Sequence, residues 1–407
     1  MMKVDLLLKK IGELASPGGQ SVLRGKEMNN IDVKNNVNVG ITSGRVTYVG
    51  SEEIEASKVI DLEGRVVTPG FVDCHTHIPF VGSRSDEFLM RQQGSSYMEI
   101  MEKGGGILST VKEVREASEE TLISSNLRKL KKMLFHGVTT VEGKSGYGLN
   151  KETELKQLSV LNELNKLSKV DVVSTFLGAH ALPTEYSNKE EYLDDVVTYI
   201  DDVYGLTDTV DVFCEKGVFE PELVEPFLKK FMEKGFRLRL HADELAESGA
   251  GKLAVKLGAI SADHLISADN ETIRALGKSN TASVILPATS FFLNEKYASG
   301  RQLIDENCIL GLASDFNPGS SNIFDPLFVI HLATTRCGLT VEEALTAYTV
   351  NSSYVLGIEH RKGRIKPNYD ADLVILDLSS YREIPYMFSQ DIVYSVIKSG
   401  ELITNEC

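Results

Sequence analysis

The stretch "GFVDCHTHIPFVGSR" (Gly70–Arg84) runs from an apolar start into two histidines one residue apart, His75 and His77. On an extended strand, side chains alternate between faces, so the two imidazoles point the same way. Asp73 shares their parity and Cys74 opposes it, which places Cys74 in the wall rather than among ligands. Two imidazoles on one face at a strand end can reach one cation. From His-x-His alone, a pair of satisfied core or surface histidines reads equally well. The rest of the chain has to decide.

Working outward, short apolar runs alternate with longer Lys/Glu/Leu segments such as "ETLISSNLRKLKKMLFHG" and "PELVEPFLKKFMEKG". Eight strand candidates follow one another: "GFVDCHTH", "VTTVEGKSG", "VDVVSTFLGAH", "VDVFCEKG", "FRLRLHADE", "ISADHL", "ASVILP" and "CILGLASDFNPG". Strands alternating with helices over about 290 residues predict a (β/α)8 TIM barrel of class α/β. A doubly wound sheet would gather its chemistry at one switch point, whereas polar residues here follow strand after strand. The ends differ in texture. "VNVGITSGRVTYVG" and "KVIDLEGRVV" near the start, and "ADLVILDLS" and "YSVIKSGELI" near the end, are β-rich and turn-broken. They predict one small β-sandwich built from both termini, giving 1–67 and 358–407 as its halves and 68–357 as the barrel.

The chain has eight histidines. Five of them (His75, His77, His180, His241, His264) fall at the C-terminal ends of predicted strands, where barrel enzymes assemble their sites. His136, His331 and His360 fall in helical or loop text and read as structural. Asp315 and Asn317 end the eighth strand, and Glu244 closes "HADE". His75, His77, His241 and Asp315 would make a mononuclear site with an open position, the mark of a catalytic metal. Nitrogen and oxygen ligands without clustered thiolates suit Zn, Fe, Mn, Ni or Co. Such an ion acidifies water and polarises a carbonyl, which favours hydrolysis of an amide-like bond.

Other features read blandly. "GVTTVEGKS" has five residues between its glycines where a phosphate loop has four. "EKGGGIL" (102–108) reads as a flexible turn near the substrate. Lys216 sits past its strand in a Glu-Lys-Gly turn, so one metal is expected rather than a lysine-bridged pair. A formal charge of −15 disfavours nucleic-acid and anionic-membrane partners. Five scattered cysteines without Cys-x-x-Cys spacing suit a reducing cytosol, and no stretch reads as a signal peptide or membrane span.

His-x-His after strand 1, His after strands 5 and 6 and Asp after strand 8 resemble the amidohydrolase superfamily. Within it, "HTHIPFVGSRSDEF", "GGGILSTV", "EGKSGYGL", "TFLGAHALPTEY", "DVFCEKG", "LRLHADE", "SADHL", "LPATSFFL" and "SDFNPGSS" look most like the imidazolonepropionase family, over essentially the whole chain. The resemblance implies the third step of histidine breakdown: hydrolysis of a ring C–N bond of 4-imidazolone-5-propanoate to N-formimino-L-glutamate. It implies one divalent or trivalent metal ion per subunit, zinc or iron, on His75, His77, His241 and Asp315. It implies substrate contacts from Arg84, Tyr147, His180, Glu244, Asn317, Gly319 and Ser320, and proton transfer among Glu244, His264 and Asp315. A cytoplasmic homodimer is expected. Arg84 supplies a fork for the propionate, and "NPGSS" offers backbone N–H groups and hydroxyls to an anion, or a plain turn. The alternatives are a deaminase of the same superfamily acting on a purine or related ring, and a non-catalytic scaffold that has lost its ligands; all four ligands are present.

Overall fold

A computed structural model describes residues 3–94 and 105–403. Strands β1 (Lys3–Pro17), β2 (Ile31–Thr42), β3 (Arg45–Gly50), β4 (Glu55–Asp61) and β5 (Val66–Pro69) come from the N-terminal side. The barrel follows as β6 (Phe71–Asp73), β7 (Val138–Lys144), β8 (Asp171–Ala179), β9 (Thr209–Cys214), β10 (Arg237–Ala242), β11 (Ser261–His264), β12 (Ala282–Ile285) and β13 (Leu310–Leu312). Then β14 (Leu373–Leu376), β15 (Val393–Lys398) and β16 (Glu401–Ile403) return to the first sheet.

That first sheet runs β16-β15-β14-β5-β1-β2-β3, with β4 also on β1. β1 serves two layers: its first half pairs with β4 and its second with β5, around a bulge between Leu8 and Ile11. Such a bulge bends a strand and increases its twist. Leu6, Leu8, Ile11, Leu14, Val39, Val67, Leu373, Ile375 and Ile397 fill the space between the layers. The sandwich therefore draws on both termini. β5 straddles residue 67 and belongs wholly to this sheet.

The eight barrel strands are parallel and in sequence order. Each predicted strand is found. Helices return the chain between most of them, and their starts share one device. Ser118, Asn150, Asn188 and Asp269 each accept the N–H three residues on, satisfying an otherwise orphaned donor. Helix Glu119–Phe135 buries Leu122, Leu130, Met133 and Leu134 on one stripe.

The seam between β6 and β13 is closed differently. At its upper end Asp315 N–H donates to the His75 carbonyl and His77 N–H to the Phe316 carbonyl, both at 3.0 Å. Lower down, side chains take over. Asp73 accepts from Ser314 N–H at 3.1 Å and from the Tyr348 hydroxyl at 3.1 Å. Asn351 Nδ2 donates to the Leu310 carbonyl at 2.9 Å, and Ser352 Oγ to the Leu312 carbonyl at 3.0 Å. The edge groups of the two strands are thus satisfied without a ladder.

His75 and His77 stand just past the end of β6 rather than within it, with Thr76 in an isolated bridge to Phe316. Cys74 is fully buried among Val72, Ala282 and Val284. Cys74, Cys214, Cys308 and Cys337 are free and buried; Cys407 lies outside the described residues. Among the described residues no helix is long and apolar enough to cross a membrane.

Candidate active site

The five strand-end histidines converge at the C-terminal mouth of the barrel. Ring centroids of His75 lie 4.6 Å from His241, 5.4 Å from His77 and 5.5 Å from His264. Asp315 joins them: its Oδ1 is 3.2 Å from His77 Nε2 and 3.6 Å from His75 Nε2. All are buried. Ligand atoms of His75, His77 and Asp315, and of His75, His241 and His264, each cluster closely enough to hold one metal ion. His75 Nε2, Asp315 Oδ1 and both ring nitrogens of His264 lack a hydrogen-bond partner. Buried polar atoms of that kind call for a partner, and their type suits a borderline cation.

The surrounding charges agree. Under the histidines lie the carboxylates of Glu142, Asp211 and Asp263, and Asp315 makes a fourth. Lys144 donates to Glu142 at 2.8 Å and Asp211 at 2.7 Å; Arg239 binds Glu142, and Asp263 at 2.5 Å. Two fixed cations face these four carboxylates, and a cation among the histidines would offset part of the excess negative charge. Burial first, then Lys144 and the neighbouring imidazoles, hold His75 well below the ordinary histidine range. Burial, then His241 and Lys144, does the same for His77. Neutral imidazole is the ligating form.

Carboxylates behind the rings set their tautomers. Asp263 Oδ2 is 2.6 Å from His75 Nδ1, and Asp211 Oδ2 is 3.1 Å from His241 Nδ1. Each leaves the other nitrogen facing the centre, the usual arrangement behind a metal-binding histidine. Thr289 donates to Asp315 Oδ2 at 2.6 Å and leaves Oδ1 free. The backbone is strained here: Asp243, His264 and Asp315 have φ of 52°, 78° and 54°, and such outliers persist where surroundings enforce them.

His264 is lowered to about 3 by burial, against the pull of Asp315. Glu244 is pushed well above the usual carboxylate range by burial, then by Asp315 and Glu215. Its Oε1 is 3.6 Å from His264 Nδ1. Glu215 also fixes the Glu244 turn, accepting the N–H groups of Glu244 and Leu245 at 2.9 Å each.

His180 and Tyr147 form the adjoining wall. The His180 ring stacks on His77 at 5.1 Å and lies 5.4 Å from Tyr147. His180 Nδ1 is 2.9 Å from the Gly146 carbonyl, so it carries the proton and Nε2 is left as acceptor. Burial, then His77 and His241, keeps this imidazole well below its ordinary range. Gly146 has φ 107°, and a Cβ there would meet the Leu177 carbonyl at 2.9 Å. Glu154 shapes this loop by accepting from Gly146, Gly148 and Leu149.

Arg84 lies along the turn 317–320. A Cβ on Gly319 would fall 1.9 Å from Arg84 Nη1, so the guanidinium occupies the space a side chain would take. One edge of the Arg84 fork is engaged, with Nε and Nη2 donating to Glu87 Oε2 at 2.9 and 2.7 Å. The turn differs from one expectation. Asn317 Oδ1 takes the N–H groups of Gly319 and Ser320, and Asn317 Nδ2 donates to the Asp315 carbonyl and Ser320 Oγ. Those N–H groups hold the turn instead of facing an anion. Ser320 Oγ lies 3.5 Å from Asp315 Oδ2.

Elsewhere, Lys216 is exposed, and so is His360. His136 pairs with Asp325 at 3.6 Å on the surface, and His331 stacks on Phe388. Of the 102–108 turn, residues 102–104 lie outside the described residues. Sequence reasoning missed Asp211, Asp263, Thr289, Glu215 and Glu87. Asp263, Glu215 and Thr289 are acids or hydroxyls at or just after the end of a predicted strand, whereas Asp211 lies near the start of one and Glu87 on the helix Ser85–Gln92. For the first three, that position is the signal the sequence offers.

Residues 66–403 match the Amidohydrolase family. The chain is 57% identical over 405 residues to the imidazolonepropionase of Kosmotoga olearia, covering the whole of both chains. It is 42% identical over 411 residues to that of Bacillus velezensis, covering 99% of this chain and 98% of that one. Among solved structures, a zinc-bound adenosine deaminase from Xanthomonas campestris superposes with a TM-score of 0.72 at 17% identity, over 98% of this chain and 93% of that one. Guanine deaminase of E. coli does so at 0.71 and 16%, over 98% and 100%. These last two share the fold alone. A barrel carrying this histidine–aspartate cluster, with relatives matched from end to end, belongs to the amidohydrolase family and, within it, to the imidazolonepropionases.

Proposed function

We propose that this chain hydrolyses 4-imidazolone-5-propanoate: water adds at the ring carbonyl carbon, the ring C–N bond breaks, the departing nitrogen takes a proton, and N-formimino-L-glutamate is released. The observation that carries this reading is the Arg84 guanidinium seated on Gly319 beside a wall of Tyr147 and His180, next to the histidine–aspartate cluster. A ring with one carboxylate tail needs a cation for that tail. His75, His77, His241 and Asp315 would hold one metal ion, for which the donor set suits several metals and the family resemblance implies zinc or iron. Such an ion supplies Lewis acidity, polarising a carbonyl and bringing water toward neutrality in pKa.

The protein's own groups do the rest. Arg84 takes the propionate with its Nη1 side, which takes no part in the Glu87 pair. His180 Nε2 accepts from a ring N–H, and Tyr147 packs the ring against His77. Asn317, Gly319 and Ser320 form the turn that seats the tail. His264 and Asp315, both with unpartnered atoms facing the centre, orient the water and take its proton. Glu244, which burial pushes toward its protonated form, gives a proton to the leaving nitrogen.

A small-molecule substrate, a cytoplasmic location and a homodimeric state complete the proposal. A net charge of −15 supports the absence of nucleic-acid and anionic-membrane partners. Freshly made substrate is incubated with metal-loaded protein and its loss followed. Loss no faster than spontaneous decay refutes the function. Release of ammonia from purines instead would favour the deaminase reading.

A further inference from the structure

The carboxylate of Glu87, at the start of helix Ser85–Gln92, is nearly buried, its side chain 10% exposed. Its two oxygens have different tasks. Oε2 takes both Nε and Nη2 of Arg84, at 2.9 and 2.7 Å. Oε1 takes the N–H of Gly106 at 3.0 Å and the hydroxyl of Ser109 at 3.1 Å. Gly106 is the residue that opens helix Ile107–Glu116. The substrate-side arginine is thereby tied to a second helix through one acid. A second guanidinium, Arg91, donates to the Gly319 carbonyl at 3.0 Å, so both arginines meet at the same glycine. Of the two, only Arg84 donates to Glu87; Arg91 is held by the glycine carbonyl.

Two readings of the Arg84–Glu87 pair compete. Glu87 could be a stand-in that a substrate carboxylate displaces, or a fixed strut. The geometry favours the strut. A displaceable stand-in would have its second oxygen free, whereas Oε1 is held by two donors. Arg84 Nη1, on the Gly319 side, takes no part in the pair. We propose that Glu87 is a positioning residue that aims the Nη1 side of Arg84 and so sets the preference for a ligand that carries a carboxylate over its neutral counterpart. This rests on the reading of Arg84 as the carboxylate-binding residue.

The test is calorimetric binding of two stable ring ligands to metal-loaded full-length protein: 3-(imidazol-4-yl)propanoate and its neutral primary amide. Turnover of 4-imidazolone-5-propanoate is measured on the same samples. Glu87→Gln cannot accept from Arg84 with one end and from Gly106 with the other, since its nitrogen only donates. It is expected to raise the Kd of the acid about tenfold, the scale of one charge-assisted hydrogen bond, and to leave that of the amide within about twofold. In an Arg84→Ala background it should add nothing further. Ser109→Ala, which removes one of the donors to Oε1, should shift the acid the same way by less, and it serves if Glu87→Gln does not fold. Tighter binding of the acid by Glu87→Gln would mean that Glu87 competes with the ligand, and would overturn the proposal. Equal losses for acid and amide, or a full effect without Arg84, would also overturn it. If Arg84→Ala leaves the acid-to-amide ratio unchanged, the Arg84 assignment itself falls. If the wild type binds both ligands but turns over no substrate, the function falls while the positioning result stands on its own.

Discussion

Asp263 Oδ2 stands 2.6 Å from His75 Nδ1, and the Arg239 guanidinium donates to the same oxygen from 2.5 Å. One acid on β11 thus fixes the ring at the end of β6, and a buried cation fixes the acid. Asp263→Asn should lower metal affinity by 10–100-fold, the range seen when partners behind metal-binding histidines are lost. Dialysis against graded chelator followed by elemental analysis reads this directly. Unchanged metal retention would remove Asp263 from that role.

Arg84→Ala should reduce kcat/KM by about a hundredfold or more, since hydrogen bonds to charged groups contribute about 1.5–3 kcal/mol each. The loss should fall mainly on KM, because the carboxylate tail is held equally before and during ring opening. Initial rates over a range of substrate concentrations separate the two constants. A fall in kcat at constant KM would contradict the assignment.

Gly319→Ala puts a methyl where Arg84 Nη1 now lies, 1.9 Å from it. Arg84 must move off the turn, and KM should rise toward that of Arg84→Ala while bound metal stays unchanged. Metal analysis and kinetics on one preparation check both halves. Loss of metal would mean that the turn rather than the arginine had been disturbed.

Chelation should abolish activity and also lower the melting temperature, because an ion that binds only the folded chain stabilises it by mass action. Excess metal at 100 times its Kd corresponds to about 2.7 kcal/mol. Calorimetric scans with and without added zinc or iron test this. A melting point indifferent to metal would remove the ion from the barrel mouth.

Asp269 caps helix Asn270–Gly277, and its carboxyl is lowered to about 2 from 3.8 by hydrogen bonds from Thr272, with Lys252 adding to the effect. Folded Asp269 holds its proton less readily than unfolded Asp269. Its charge-dependent contribution is therefore complete above about pH 4 and is lost as pH falls through about 2. Asp269→Ala should cost about 1 kcal/mol at pH 7. The gap in urea midpoint from the wild type should narrow below pH 4, and a constant gap at pH 3 would argue against the charged cap.

The barrel was legible because its signals are local. Strand and helix periods repeat, and five of eight histidines end strands, so no long-range knowledge was needed to bring His75, His77, His180, His241 and His264 to one mouth. The partners of those residues were not legible in the same way. Asp263 and His75 are 188 residues apart, and Arg239 and Glu142 are 97 apart. Nothing in "SADHL" says that its aspartate faces a histidine on another strand. Strand register decides that, and register is a property of the closed barrel. Asn317 was legible in type and place, but not the Asx-like turn that engages its amide locally, because that turn depends on the backbone path after β13. Glu87 was not legible either, because its partners Gly106 and Ser109 lie at the start of a second helix, 19 and 22 residues on.

The seam carries one more consequence. The first barrel strand and the last meet chiefly at His75, His77 and the Asp315–Phe316 segment, and below that point their edges are held by side chains from residues 348–352. A nascent chain cannot assemble this centre until synthesis has passed Asp315, and cannot brace it until Ser352 has emerged. A product that ends before Asp315 lacks both the carboxylate that stands beside His75 and His77 and the contacts that close the barrel.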